Sequence, residues 1–225
     1  MRKQNTLPVF IFIACLLGSN AHGSQSASTP QVKQQIQSAG YYLPETLSLQ
    51  KFDLLDHDGR AFTVANLRGR WTLLFFGYTH CPDVCPTTLA QLRATRKLLA
   101  RESPAAQIAV VLVSVDPQRD SSEQLKQYVG QFGTDFIGVG GSPSNVDRFA
   151  QQFRVKYAIS GRTSTTYLMD HTSSVALITP DAKLRALFSP PLRPEGLAQD
   201  LQRIVSDEHA AVAHPSVVAS DHGAN

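Results

Sequence analysis

Residues 78–89 read YTHCPDVCPTTL, and Cys81 and Cys85 stand there four positions apart, each followed by a proline. The chain has only one other cysteine, Cys15. Two nearby thiols can serve as a structural disulfide, a redox pair or part of a soft-metal site. A disulfide across so short a loop would restrict the unfolded chain little, which argues against a purely structural bridge. Proline disfavours helix in the residue before it, so Pro82 and Pro86 are expected to hold both cysteines on a loop, with Cys85 at or near the cap of the helix that follows. A helix N-terminus lowers the pKa of a thiol and favours thiolate, which is both the nucleophile of disulfide exchange and the ligand of soft metals. Two thiolates suit Cu(I), and an added nitrogen donor would also admit Cu(II).

Three histidines lie between the leader and the tail: His57, His80 and His171. His57, in DHDG, reads as a solvated turn residue. His80 adjoins Cys81 and reads as facing solvent. His171 follows the polar stretch SGRTSTTYLMD and is expected to open the strand HTSSVALIT, as a surface or capping residue. From residue types alone, metal binding and thiol redox chemistry both stay open.

The elements that must position these residues follow from periodicity. Residues 1–23 resemble an export signal: MRKQNT is basic, LPVFIFIACLLG is a 12-residue apolar run, and small residues follow. That run is shorter than the roughly 20 residues a spanning helix needs. The expectations are cleavage after Ala21 or Gly23, lipidation at Cys15, or retention as an anchor, and each places the domain outside the cytoplasm. Residues 24–44 read as a polar linker, 45–206 as the folded domain and 207–225 as a disordered tail with His209, His214 and His222. LSLQKFDLLD and RAFTV flank the Asp-Gly turn of DHDG, which predicts an N-terminal β-hairpin. WTLLFFGY and QIAVVLVSVD are continuous apolar runs of buried-strand length. PTTLAQLRATRKLLARE is a helix with Pro86 in its first turn. A further helix begins at SSEQLKQYVGQF, with Ser121 or Ser122 as cap. SPSNVDRFAQQF and RPEGLAQDLQRIVS are also helices, and SVALITPDAKLRALF is a pair of strands around PDAK. Trp71 reads as core, and Arg119 and Asp120 as residues that order a turn.

A buried strand thus runs into the cysteine pair and then a helix. That order is the layout of a thioredoxin-like α/β fold, a central sheet flanked by helices. The net charge is +3, and loss of Arg2 and Lys3 with the leader would leave +1. Without a basic cluster there is no electrostatic case for nucleic acid. DHDGR lacks the twelve-residue ligand loop of a calcium site.

FGYTHCPDVCPTTL resembles the signature of the Sco/SenC copper chaperones of cytochrome c oxidase assembly. VSVDPQRDSSEQLKQYVGQF (113–132), FAQQFRVKY (149–157) and YLMDHTSSVALITPDAKL (167–184) resemble further motifs of that family, in order, across roughly residues 45–205. The resemblance implies copper ligands at Cys81, Cys85 and His171, so it reverses the reading of His171 as a surface residue. It implies that Asp170 orients its loop rather than ligating. Thr172 stands where serine is common, and Ala182 where glycine is. The implied function is copper delivery, as Cu(I) and Cu(II), to the dicopper centre of cytochrome c oxidase subunit II or another exported acceptor. A thiol reductant in the same compartment would keep the pair reduced, and the leader could provide membrane association. The alternative is a thiol-disulfide oxidoreductase that uses Cys81 and Cys85 to reduce an exported copper acceptor. The implied location is periplasmic, free or membrane-tethered.

Overall fold

The computed structural model describes residues 38–102, 108–163 and 166–213, with Glu102 and the last three as backbone only. The leader, Cys15, most of the expected linker, His214 and His222 lie outside the described residues. Among the described residues no helix is long and apolar enough to cross a membrane.

The hydrophobic runs build the centre. β4 (Trp71–Gly77) and β5 (Ile108–Ser114) pair in parallel, Trp71 opposite Ile108 and Gly77 opposite Ser114. Every residue of β4 is buried, Trp71 included, so both faces of this strand are covered, as an all-apolar strand requires. β6 (Ile137–Gly140) continues the parallel set beyond β5. On the other side β9 (Val175–Ile178) and β10 (Lys183–Phe188) form the expected antiparallel pair around PDAK. In that turn Ala182 has φ +62°, the left-handed region that glycine occupies without cost.

The expected N-terminal hairpin is present as β2 (Leu54–Asp56) and β3 (Ala61–Phe62). Its turn is closed by the Asp56 carboxylate, which accepts from the backbone N–H groups of Asp58 and Arg60 at 2.9 Å each. Gly59 takes φ +76° there. The strand expected over 47–56 is instead split. β1 (Gly40–Ser48) pairs with β10, and the eight-stranded sheet runs β1-β10-β9-β4-β5-β6-β2-β3, so β1 and the β2–β3 hairpin lie at opposite ends. The segment between them is held by α4 (Pro143–Gln152): Gln50 N–H donates to the Gln152 side chain and Asn145 donates to the Asp53 carbonyl. Phe52 anchors it, its ring centroid 4.1 Å from that of Phe149.

The helices flank this sheet. α1 (Val64–Leu67) is a single turn with a Thr63–Asn66 capping box. α2 (Val84–Glu102) follows the cysteine turn and packs against α5 (Pro194–Ala213). α3 (Ser122–Gly130) is capped by Ser121, with Gln124 completing the capping box. Both expected domain limits move outward. Residues 40–44, assigned to the linker, belong to β1, because Tyr41 and Tyr42 pair with Leu187 and Ala186. Residues 207–213, assigned to a disordered tail, continue α5, where Glu208 pairs with Arg185 at 2.6 Å and Arg185 lies over the Tyr42 ring. His209 is an exposed residue of that helix.

The stretch expected as a polar loop before His171 is a second, two-stranded sheet: β7 (Tyr157–Arg162) and β8 (Tyr167–His171). His171 therefore ends β8 instead of opening β9, with Tyr157 opposite it. Exposed and half-buried residues alternate strictly along β8, as a strand with one covered face requires.

Candidate metal centre

The cysteine turn is held from below. Cys81 lies outside the helix, and its N–H donates to the Tyr78 carbonyl at 3.3 Å. α2 starts earlier than expected, and Cys85, expected at or near its cap, sits in its first turn. Pro86 is tolerated there because the first N–H groups of a helix have no internal acceptor to lose. Thr87 closes the turn on Asp83, its N–H donating to the Asp83 carbonyl at 3.1 Å and its hydroxyl to the Asp83 carboxylate at 3.3 Å. Cys85 is fully buried and Cys81 half-buried, and both are free thiols.

Gly77 makes room for this packing. A Cβ there would lie 3.0 Å from Cys85 Sγ and 2.9 Å from the Phe75 ring. A buried carboxylate fixes the residues just before Cys81. Asp120 accepts from Thr79 N–H at 3.0 Å, from the Thr79 hydroxyl at 2.6 Å and from the Ser114 hydroxyl at 2.6 Å. Asp120 thus orders a turn as expected, but that turn is the one bearing Cys81. His80 is exposed, as expected, with its ring nitrogen 3.0 Å from the Thr79 hydroxyl.

His171 arrives from the second sheet. Its Nε2 is 3.5 Å from Cys85 Sγ, and the backbone N–H of Cys85 donates to Cys81 Sγ at 3.4 Å. The three donor atoms all lie within 4.8 Å of one another. His171 Nδ1 is 3.2 Å from the Thr172 carbonyl, which can only accept. In the tautomer that donates from Nδ1 to that carbonyl, the Nε2 lone pair is free to meet a metal ion beside the sulfurs. The ring stands edge-on to Tyr78 and Phe75, with centroids 6.0 and 5.9 Å away. Tyr78 in turn accepts the Met169 N–H at 3.2 Å. Asp170 is exposed and outside this three-residue group. It lines an open groove of about 760 Å³ beside the site, with His171 on the shared wall.

The two thiols differ. Cys81 is pulled down to about 3, chiefly by the hydrogen bond from Cys85, with His171 and backbone donors adding to it. Cys85 is pushed up, first by that same bond and then by burial. The pair therefore holds one proton, carried on the buried sulfur, and exposes one thiolate. Two sulfurs and an imidazole nitrogen form a donor set that fits a soft or borderline ion. The same exposed thiolate beside a protonated partner also fits thiol-disulfide exchange.

Sequence reading missed several supporting groups. His57 is not a solvated turn residue: its Nδ1 accepts the Gly138 N–H at 2.9 Å and so fastens the hairpin turn to β6. Arg119 reaches β8, donating to the Tyr167 carbonyl at 2.9 Å. YLMDH shows no apolar–polar alternation, since the apolar Leu168 lies on the exposed face, so no local signal marked the strand that carries His171.

The SCO1/SenC family model matches residues 43–206. A Stutzerimonas stutzeri protein described as a candidate copper binder is 34% identical over 166 residues, 74% of this chain and 81% of the relative. The structure of Arabidopsis thaliana ScoI with copper bound is similar with a TM-score of 0.67 at 33% identity, covering 70% of this chain and 98% of that one. BsSco, whose structure was described for a disulfide switch in a member of the Sco family of cytochrome c oxidase assembly proteins, matches with a TM-score of 0.55 at 26% identity over 75% and 95% of the two chains. The mitochondrial relatives are longer, and the chain spans 39% to 64% of their length. The thiol turn, the histidine strand and a family match that runs from β1 into α5 together make this chain a member of the SCO1/SenC family.

Proposed function

We propose that this protein is a copper metallochaperone that holds its cargo on Cys81, Cys85 and His171. The observation that carries the reading is the convergence of two free thiols and an Nε2 lone pair within 4.8 Å, at a place where only one sulfur is fully buried. Cu(I) takes the two thiolates, and its binding expels the proton kept on Cys85. The imidazole completes a set that Cu(II) also accepts. A site with few ligands, one of them half-exposed, can release its ion by stepwise exchange with an acceptor's sulfurs and nitrogens. The acceptor we assign is the dicopper centre of cytochrome c oxidase subunit II, in keeping with the family's part in oxidase assembly and with the description of BsSco. The working compartment is outside the cytoplasm, with the leader as export signal or tether and a thiol reductant to keep the pair reduced.

The test is an anaerobic Cu(I) titration of the reduced protein against a competing chelator. One tightly held ion per chain, lost when Cys81 and Cys85 are both changed to Ser, supports the reading. Binding equal to that of the double Ser variant overturns it.

A second reading is favoured by the asymmetry of the thiols. In that chemistry the Cys81 thiolate attacks an acceptor disulfide and expels one sulfur as thiolate. Cys85 then gives up its proton and attacks Cys81 in the mixed disulfide, freeing the second sulfur. The chain ends as the Cys81–Cys85 disulfide, and the acceptor gains two electrons and two thiols. His171 is dispensable for this exchange, so a His171→Ala variant that still reduces an acceptor disulfide at the native rate but binds copper weakly would separate the two activities.

A further inference from the structure

The two halves of the metal centre come from separate sheets, and one short turn touches both. The turn after β5 is closed on the Asp116 carbonyl, which accepts the N–H groups of Arg119 at 3.1 Å and Asp120 at 3.0 Å. Its side chains then leave in two directions. Asp120 goes to the thiol side, where it holds Thr79, two residues before Cys81. Asp116 and Arg119 go to the histidine side. Arg119 Nε donates to the Asp116 carboxylate at 2.5 Å, and the Tyr167 hydroxyl donates to the other Asp116 oxygen at 2.6 Å. Arg119 Nη1 donates to the Tyr167 carbonyl, and its guanidinium lies 3.5 Å from the Tyr167 ring centroid and 5.7 Å from that of Tyr78. Tyr167 is four residues before His171 on β8, on the same face under two-residue alternation.

We propose that Asp116, Arg119 and Asp120 are positioning residues that set the separation between the thiol pair and His171. The proposal rests on the reading of those three side chains as one metal site. β7 and β8 share no backbone ladder with the main sheet, so side chains must hold the strand that presents the imidazole. Arginine suits that task because its planar fork can stack on a ring and donate within its own plane at once, which a lysine cannot copy. The neighbouring carboxylate, itself buried, fixes the fork and the tyrosine hydroxyl together. The clamp thereby acts on the metal through His171, while Asp120 acts through Cys81.

Double-mutant cycles on the full chain test this, with competitive titrations of Cu(I) and Cu(II) and the thiolate-to-Cu(II) charge-transfer spectrum. Arg119→Ala is expected to weaken Cu(II) binding roughly 10- to 100-fold, the usual effect of losing a residue that orients a ligand, and to shift the spectrum. In a His171→Ala background the same change is expected to cost nothing further. Arg119→Lys should not restore the native spectrum. Asp120→Asn is expected to weaken Cu(I) binding equally with and without His171. If Arg119→Ala fails to fold, Tyr167→Phe decides instead, since it removes only the hydroxyl bonded to Asp116; its smaller loss should also vanish without His171. An equal loss from Arg119→Ala or Tyr167→Phe in both backgrounds, or a Cu(II) spectrum they leave unchanged, would show the clamp to be merely structural and overturn the proposal. A His171→Ala variant with native affinity for both ions overturns the three-ligand site and this proposal with it. The two failures are therefore told apart by the single His171 variant.

Discussion

The thiol turn and the β7–β8 hairpin supply the same site from opposite kinds of structure. Cys85 stands in the first turn of α2, just past the turn that follows β4, a strand buried along its whole length, and its sulfur sits against Gly77. His171 ends a two-stranded ribbon whose outer residues, Ile159 and Leu168 among them, are exposed. An isolated two-stranded ribbon is marginal in water, so its position depends on what it leans against. One half is fixed by core packing, and the other by a few polar and stacking contacts. That division suits the proposed cargo site, in which two sulfurs would stay in place while the third ligand is exchanged.

The largest effect should come from breaking the rigid half. Structural zinc sites gain about 10–16 kcal/mol from four ligands, so one ligand carries roughly 3 kcal/mol, or about a hundredfold in affinity. The Cys81→Ser, Cys85→Ser double variant should thus lose about four orders of magnitude in Cu(I) affinity by chelator competition. His171→Ala should cost about a hundredfold for Cu(II) and less for Cu(I), with the thermal midpoint nearly unchanged because the ring is only half-buried. An equal loss for both ions would mean that the hairpin half is as indispensable as the thiol half.

Acidity sharpens the same contrast. Cys81 is already ionised above about pH 3, whereas Cys85 is pushed up and keeps its proton through the neutral range. Binding Cu(I) to both sulfurs therefore releases one proton, and affinity should rise about tenfold per pH unit as pH increases. A titration between pH 5 and 8 against a chelator of known pH dependence checks the slope. A flat profile would mean that Cys85 does not ligate as thiolate. Alkylation of the apo protein should mark Cys81 first.

Smaller changes probe packing. Gly77→Ala puts a methyl 3.0 Å from Cys85 Sγ and about as close to Phe75 and Leu112, so overpacking should cost about 1–3 kcal/mol and loosen the thiol half, read as a lower thermal midpoint and weaker Cu(I) binding. Ala182→Gly relieves a left-handed residue in the β9–β10 turn and should stabilise the fold by about 1 kcal/mol, raising the midpoint by about 2–4 °C without changing copper affinity. A change in copper binding there would mean that the site responds to global stability rather than to its two local halves.

Much of the fold was legible where the chain is buried or sharply punctuated. The apolar runs of β4 and β5, the Asp-Gly hairpin and the Ser121 cap each carry their own local reason. The misreadings fall where local pattern is weak. Residues 160–170 look like polar loop because the ribbon they help form is half-exposed and small. Phe52 lies within a run that alternates like a strand, yet α4 claims the backbone on either side of it. α5 outlasts residue 207 because Arg185, distant in sequence, pairs with Glu208.

What the sequence by itself determined is the chemistry on offer: two thiols at a strand-to-helix turn, with the prolines that shape it, inside an α/β order that could have only a few layouts. The third donor was marked only by family resemblance, since no local rule singles out His171 among its polar neighbours. Tertiary structure alone decided that its Nε2 meets Cys85 Sγ across a separation of 86 residues. It also decided that Asp120 and Arg119, adjacent in a single turn, brace opposite sides of the meeting point. The reason is physical: thiol acidity and helix capping depend on near neighbours in the chain, whereas convergence of ligands depends on which sheet edge each strand reaches. That is fixed by burial and pairing over the whole domain.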